Sequence, residues 1–137
     1  MITTASWVSD LAFDITSDNN HAARLDTTVE GGSLNSGMSP KQMLLGSLCA
    51  CSGMDVVSLL NKMRVPFTKL IITAAAEQTD EHPKVFKSIE VVYKADVAAE
   101  QLAQLEKAVA LSQDKYCGVS IMLKKHCEVS YTISLLP

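Results

Sequence analysis

No basic cluster larger than the pair Lys124–Lys125 occurs in this chain, and its formal net charge is −3 with a pI near 5.5. A surface that grips phosphates needs a basic face, so nucleic acid is not expected as a partner. Also missing is a signal peptide's cationic leader and apolar core, because the chain opens Met1-Ile2-Thr3-Thr4. No stretch approaches the ~18 uninterrupted apolar residues of a membrane span. Together these absences lead us to expect a cytoplasmic protein that enters no membrane. There is no Cys-x-x-Cys and the three histidines are scattered, so no metal site or other cofactor is expected. Gly-x-Ser-x-Gly is absent, which removes the usual serine-hydrolase elbow. The stretch from Gly31 to Gly37 lacks the Gly-Lys-Ser/Thr ending of a phosphate loop, so nucleotide binding finds no support.

What is present fits one domain. At 137 residues a chain can bury roughly two-thirds of its unfolded surface and needs no staple. Hydrophobic residues make up 47%, charged ones 20%, and mean hydropathy is +0.15, a balance that leaves apolar surface for a subunit interface. Four cysteines, at 49, 51, 117 and 127, are then structural or redox-active rather than a secreted disulfide framework.

No repeat or linker interrupts the chain. Leu11, Phe13 and Ile15 alternate with polar or small residues, as do Leu25, Thr27 and Val29, so the first thirty residues read as short strands. Asp18-Asn19-Asn20 supplies turn chemistry between them. Ser39-Pro40-Lys41-Gln42 is a capping box with proline at the first helical position. The helix it opens should run to about Arg64 and stop before Val65-Pro66. Strands are expected over Phe67–Glu77 and Val85–Lys94, then a helix over Ala98–Lys115 burying Leu102, Leu105, Val109 and Leu111, then a strand over Cys127–Leu135. Strands, one long helix and then mixed elements give an α+β domain.

Cys49 and Cys51 lie about 200° apart on the long helix and face nearly opposite ways. Cys49 shares its face with Leu45, Val56, Leu60 and Met63 and reads as a small core residue. Cys51 shares a polar ribbon with Ser47, Asp55, Ser58 and Lys62. That ribbon is either a pocket wall or simply the solvated face. Gly46, Ala50 and Gly53 form a third face, whose glycines imply close approach to another helix or a subunit. Cys117 precedes Gly118 and can sit at the N-terminus of a short helix, where the dipole favours thiolate. If Gly118 marks a helix end instead, the dipole acts the other way. Cys127 opens the last strand and reads as structural.

The segment from Ser39 to Val57, SPKQMLLGSLCACSGMDVV, resembles the central-helix motif of OsmC-like proteins, and Lys115-Tyr116-Cys117-Gly118-Val119-Ser120 resembles that family's second cysteine motif. The likeness covers nearly the whole chain. It implies an OsmC-like fold: an antiparallel sheet of about six strands, a long central helix and a second helix, in an obligate intertwined homodimer with active sites at the interface. It also implies a thiol peroxidase of the OsmC/Ohr type acting on organic hydroperoxides, with a role in oxidative stress. Carried over residue by residue, Cys51 becomes the peroxidatic cysteine and Cys117 the resolving one. Leu44, Leu48, Met54 and Asp55 become the substrate pocket, and a dithiol or lipoyl-type reductant the electron donor. Family peroxidases also use an arginine from the N-terminal strands, for which Arg24 is the candidate, and a glutamate near the helix start, where this chain has Lys41 and Gln42. That departure keeps a second reading open: a dimeric binding or redox-sensing protein with weak catalysis.

Overall fold

Residues 1–137 are described by a computed structural model containing six strands and three helices. In chain order they are β1 (Thr3–Ser9), β2 (Ala12–Ser17), β3 (Ala22–Leu25), α1 (Pro40–Lys62), β4 (Leu70–Gln78), β5 (Phe86–Ala95), α2 (Leu102–Leu111), α3 (Gly118–Lys124) and β6 (Glu128–Leu135). The α+β class and the six strands stand. The strands divide into two three-stranded sheets rather than one, and one pairing is parallel. The chain forms two compact units, Met1–Leu44 and Leu45–Pro137.

In the first unit, β1, β2 and β3 form an antiparallel meander. Asn20 turns the chain between β2 and β3 at φ +66°, a left-handed conformation that asparagine tolerates. The expected strand over 25–30 is corrected: β3 ends at Leu25. The Asp26 carboxylate accepts hydrogen bonds from the Thr27 N–H and from both the N–H and hydroxyl of Ser36. Bonds of this kind hold backbone in a turn and compete with a sheet ladder. The capping box forms as expected, with the Ser39 N–H donating to Gln42 Oε1 at 2.8 Å and the Gln42 N–H to Ser39 Oγ at 3.3 Å.

Helix α1 ends at Lys62, and Arg64 takes a left-handed φ of +56° just before Val65-Pro66. In the second unit β5 is the central strand, antiparallel to β4 and parallel to β6. A parallel partner cannot be reached by a tight turn; the chain must cross over and re-enter from the starting end of β5. That crossover comprises α2, a π-turn over Ser112–Tyr116, and α3. It carries Cys117. The core joins Leu48, Val56 and Leu60 of α1 to Ile89, Val91 and Tyr93 of β5 and Leu105, Ala108 and Val109 of α2. Each of the buried leucine, isoleucine and valine side chains contributes about 1.5–3 kcal/mol.

One sequence expectation needs amendment. By length and composition α1 is apolar enough to cross a bilayer, with an 18-residue window of mean hydropathy 1.7. Its buried stripe lies in the core of the second unit, as the central helix of a globular fold does. Only 28% of that window is buried within the chain, so α1 has apolar surface left over.

Candidate thiol site

The buried stripe of α1 is Leu48, Ser52, Val56 and Leu60. Val56 and Leu60 are buried as expected and Leu45 and Met63 pack against the core, but the reading of Cys49 is corrected. Cys49 is half-buried and lies outside the core, lining an open hollow of about 560 Å³ with Gly46, Ala50, Gly53, Met54, Val57, Leu70 and Ile72. Burial pushes its thiol above the ordinary value. Within the chain, the nearest approach at these glycines is to a strand rather than a helix: an added Cβ at Gly53 would lie 3.0 Å from Ile72 Cδ1 of β4. An added Cβ at Gly46 would meet nothing within 4 Å.

Cys51, next to Ser52, packs against the core from the other side. The polar ribbon beyond it borders a small hollow of about 190 Å³ lined by Asp55, Ser58, Leu59, Lys62 and Tyr116. Cys117, wholly buried, neighbours Cys51 closely enough for the two thiols to influence one another, and both are free. Between the two readings of Cys117, the structure selects the helix start. Cys117 is the N-cap of α3, and its sulfur accepts from the Ser120 N–H at 3.3 Å. That bond favours thiolate, but burial outweighs it. Desolvation, then the Cys51 contact, push the Cys117 thiol up to about 11. Cys117 therefore holds its proton at neutral pH.

A buried polar network backs the pair. The Ser112 hydroxyl lies 2.8 Å from that of Ser52 and donates to Asp55 Oδ2 at 3.0 Å. Ser52 Oγ and Tyr93 OH are 2.5 Å apart, and Gln113 Nε2 donates to the same phenolic oxygen. Ser120 Oγ donates to Gln113 Oε1 at 2.6 Å, and Lys124 Nζ to the Gln113 carbonyl at 2.6 Å. Ser52, Tyr93, Ser112, Gln113 and Ser120 are all fully buried. Polar groups so deep cost several kcal/mol unless satisfied, and these are satisfied by one another. None was singled out from sequence. A serine or glutamine reads as surface, and no periodicity marks it otherwise.

The expected site residues are distributed over both units. Cys51, Cys117 and Asp55 are neighbours, with the Asp55 charge among the influences that raise Cys117. Leu48 is sealed in the core, so it lines no open pocket. Met54 is 73% exposed and borders the Cys49 hollow instead. Leu44 and Arg24 belong to the first unit. There Arg24 Nε donates to Asp14 Oδ1 at 2.5 Å, across the β2–β3 register, and its guanidinium also reaches Ser36 Oγ at 3.4 Å. This pair raises the Arg24 pKa and lowers that of Asp14. Gly37 is required here, because a Cβ on it would collide with the Arg24 carbonyl. No group of three or more His, Cys, Asp or Glu side chains is placed to hold a metal ion.

Residues 31–132 match the family described as OsmC-like protein. Protein YhfA of Escherichia coli (strain K12) is 30% identical over 130 residues, spanning 95% of this chain and 94% of that protein. Among solved structures, a hypothetical protein from Aquifex aeolicus VF5 superposes with a TM-score of 0.80 at 26% identity, covering 99% of this chain and 97% of that one. An organic hydroperoxide resistance protein from Elizabethkingia anophelis shares the fold at TM-score 0.70 and 16% identity, covering 98% and 94%.

Proposed function

The chain belongs to the OsmC-like protein family, and from that premise we propose that it is a two-cysteine thiol peroxidase acting on organic hydroperoxides. The observation that carries this reading is that two free thiols, Cys51 and Cys117, 66 positions apart in sequence, are near enough for Cys51 to raise the Cys117 pKa. Cys51, as thiolate, attacks the terminal peroxide oxygen. An S–O bond forms, the O–O bond breaks, and the alkoxide leaves and takes up a proton to become the alcohol. The Cys117 sulfur then attacks the sulfenic sulfur of Cys51. An S–S bond forms, the S–O bond breaks, and the departing hydroxide takes the Cys117 proton and leaves as water. A dithiol or lipoyl-type donor reopens the bond by exchange and becomes a disulfide itself.

A buried, protonated Cys117 suits the resolving role, because it is spared direct oxidation and delivers its proton where hydroxide departs. A homodimer would cover the apolar surface that α1 leaves open, and the reaction would take place in the cytoplasm, away from membranes. Sedimentation equilibrium of the purified chain tests the dimer. The activity test follows cumene hydroperoxide consumption with dihydrolipoamide as donor. Turnover well above that of free cysteine is expected.

A second reading, a weakly catalytic redox-sensing or binding protein, is favoured by a specific observation. The Gln42 side chain caps α1 and Arg24 is ion-paired with Asp14. Stoichiometric disulfide formation at a rate no greater than that of free cysteine would select it.

A further inference from the structure

We propose that Tyr93 and Gln113 are positioning residues that clamp the two cysteines' backbones together, an inference that rests on a Cys51–Cys117 disulfide being the working state. The backbone beside Cys51 and the sulfur of Cys117 are linked to the same pair of buried side chains. On one side, Ser52, the residue after Cys51, meets Tyr93 OH at 2.5 Å. On the other, the Ser120 N–H holds Cys117 Sγ at 3.3 Å while the Ser120 hydroxyl donates to Gln113 Oε1 at 2.6 Å. The Gln113 amide closes the path by donating to Tyr93 OH.

Gln113 lies in the π-turn that directly precedes Cys117, whose N–H donates to the Ser112 carbonyl at 2.8 Å. A π-turn is an irregular stretch that needs outside support and recurs at functional sites. Here the support includes every polar group of the Gln113 side chain, and Lys124 Nζ holds the Gln113 carbonyl. A fully buried glutamine satisfied in this way fixes where the crossover ends, and so where Cys117 stands relative to α1. Asp55 extends the same network through Ser112.

The test measures how readily the two thiols pair, independently of any peroxide. In a glutathione redox buffer, one glutathione disulfide is reduced to two glutathiones as the Cys51–Cys117 bond forms, and the equilibrium constant is the effective concentration of the pair. Tyr93→Phe removes one oxygen and keeps the ring, with its edge-on contact to Tyr131 at 6.2 Å. About a tenfold fall in that constant is expected, matched by a slower collapse of the Cys51 sulfenic acid to disulfide, while dimedone trapping shows the sulfenic acid itself forming at the parent rate. Ser120→Ala cuts the Gln113 link but keeps the N–H cap, so it should show the same split and decides the matter if Tyr93→Phe does not fold. A folded variant whose constant and collapse rate stay within about twofold of the parent overturns the proposal, as does a parent chain that forms no such bond in the buffer. A parent that forms the bond in glutathione yet ignores hydroperoxide overturns the peroxidase reading and leaves the clamp standing.

Discussion

Two cysteines separated by a single alanine on one helix stand in opposite surroundings. Cys49 faces an open hollow walled by small and apolar residues, with no second thiol among them. Cys51 faces the crossover, where a buried thiol, a helix cap and a satisfied polar network converge. The difference teaches that helical phase, more than residue type, assigns the chemistry. A rotation of 200° separates a sulfur whose hollow holds no second thiol from one with a buried thiol as its neighbour.

The comparison can be broken most directly by exchange. Cys51→Ser should lower hydroperoxide turnover by about a hundredfold or more, while Cys49→Ser stays within about twofold, both read in the dihydrolipoamide-coupled assay. Equal losses would erase the distinction between the two faces. A second test uses Cys117. Its folded pKa of about 11 stands above the ordinary 9.0, so the folded chain binds the proton more tightly than the unfolded one. Stability is therefore full below pH 9 and declines by roughly 2–3 kcal/mol as pH rises towards 11. Urea unfolding across that range should show the decline, and Cys117→Ser should reduce it. Alkylation of Cys117, mapped by peptide mass, should show its midpoint near pH 11.

Neighbouring small residues sharpen the contrast further. Ser52→Ala on the networked side leaves Tyr93 OH and Ser112 short of a partner and should cost about 1–3 kcal/mol in urea. The smallest effect belongs to the hollow. Gly53→Ala gains helix propensity of about 1 kcal/mol against a 3.0 Å contact with Ile72 Cδ1, the movable end of a side chain. Its net change should stay within about 1 kcal/mol.

Much of this was legible in the residues. The capping box, the extent of α1 and the alternation of β5 and β6 each follow a local rule, and each stands where that rule puts it, whereas the glycine after Cys117 fits a helix start and a helix end alike. What was not legible depends on partners distant in sequence. Alternation locates β6 but carries no direction, so its parallel pairing with β5 appears only with the crossover. Leu25, Thr27 and Val29 alternate as a strand would, yet Asp26 spends its carboxylate on the backbone that follows. On α1, two apolar stripes compete, and the choice of Leu48–Ser52–Val56–Leu60 buries a serine that only Tyr93 and Ser112 make acceptable. The same buried partners supply the candidate positioning residues.

Whether Cys51 and Cys117 act as one redox pair is tested most directly by peptide mass mapping under non-reducing conditions after one equivalent of cumene hydroperoxide. A single new cross-link joining the Cys51 and Cys117 peptides is expected, with Cys49 and Cys127 recovered as free thiols. A cross-link through Cys49, or Cys51 advancing to sulfinic acid while Cys117 remains a free thiol, would contradict it.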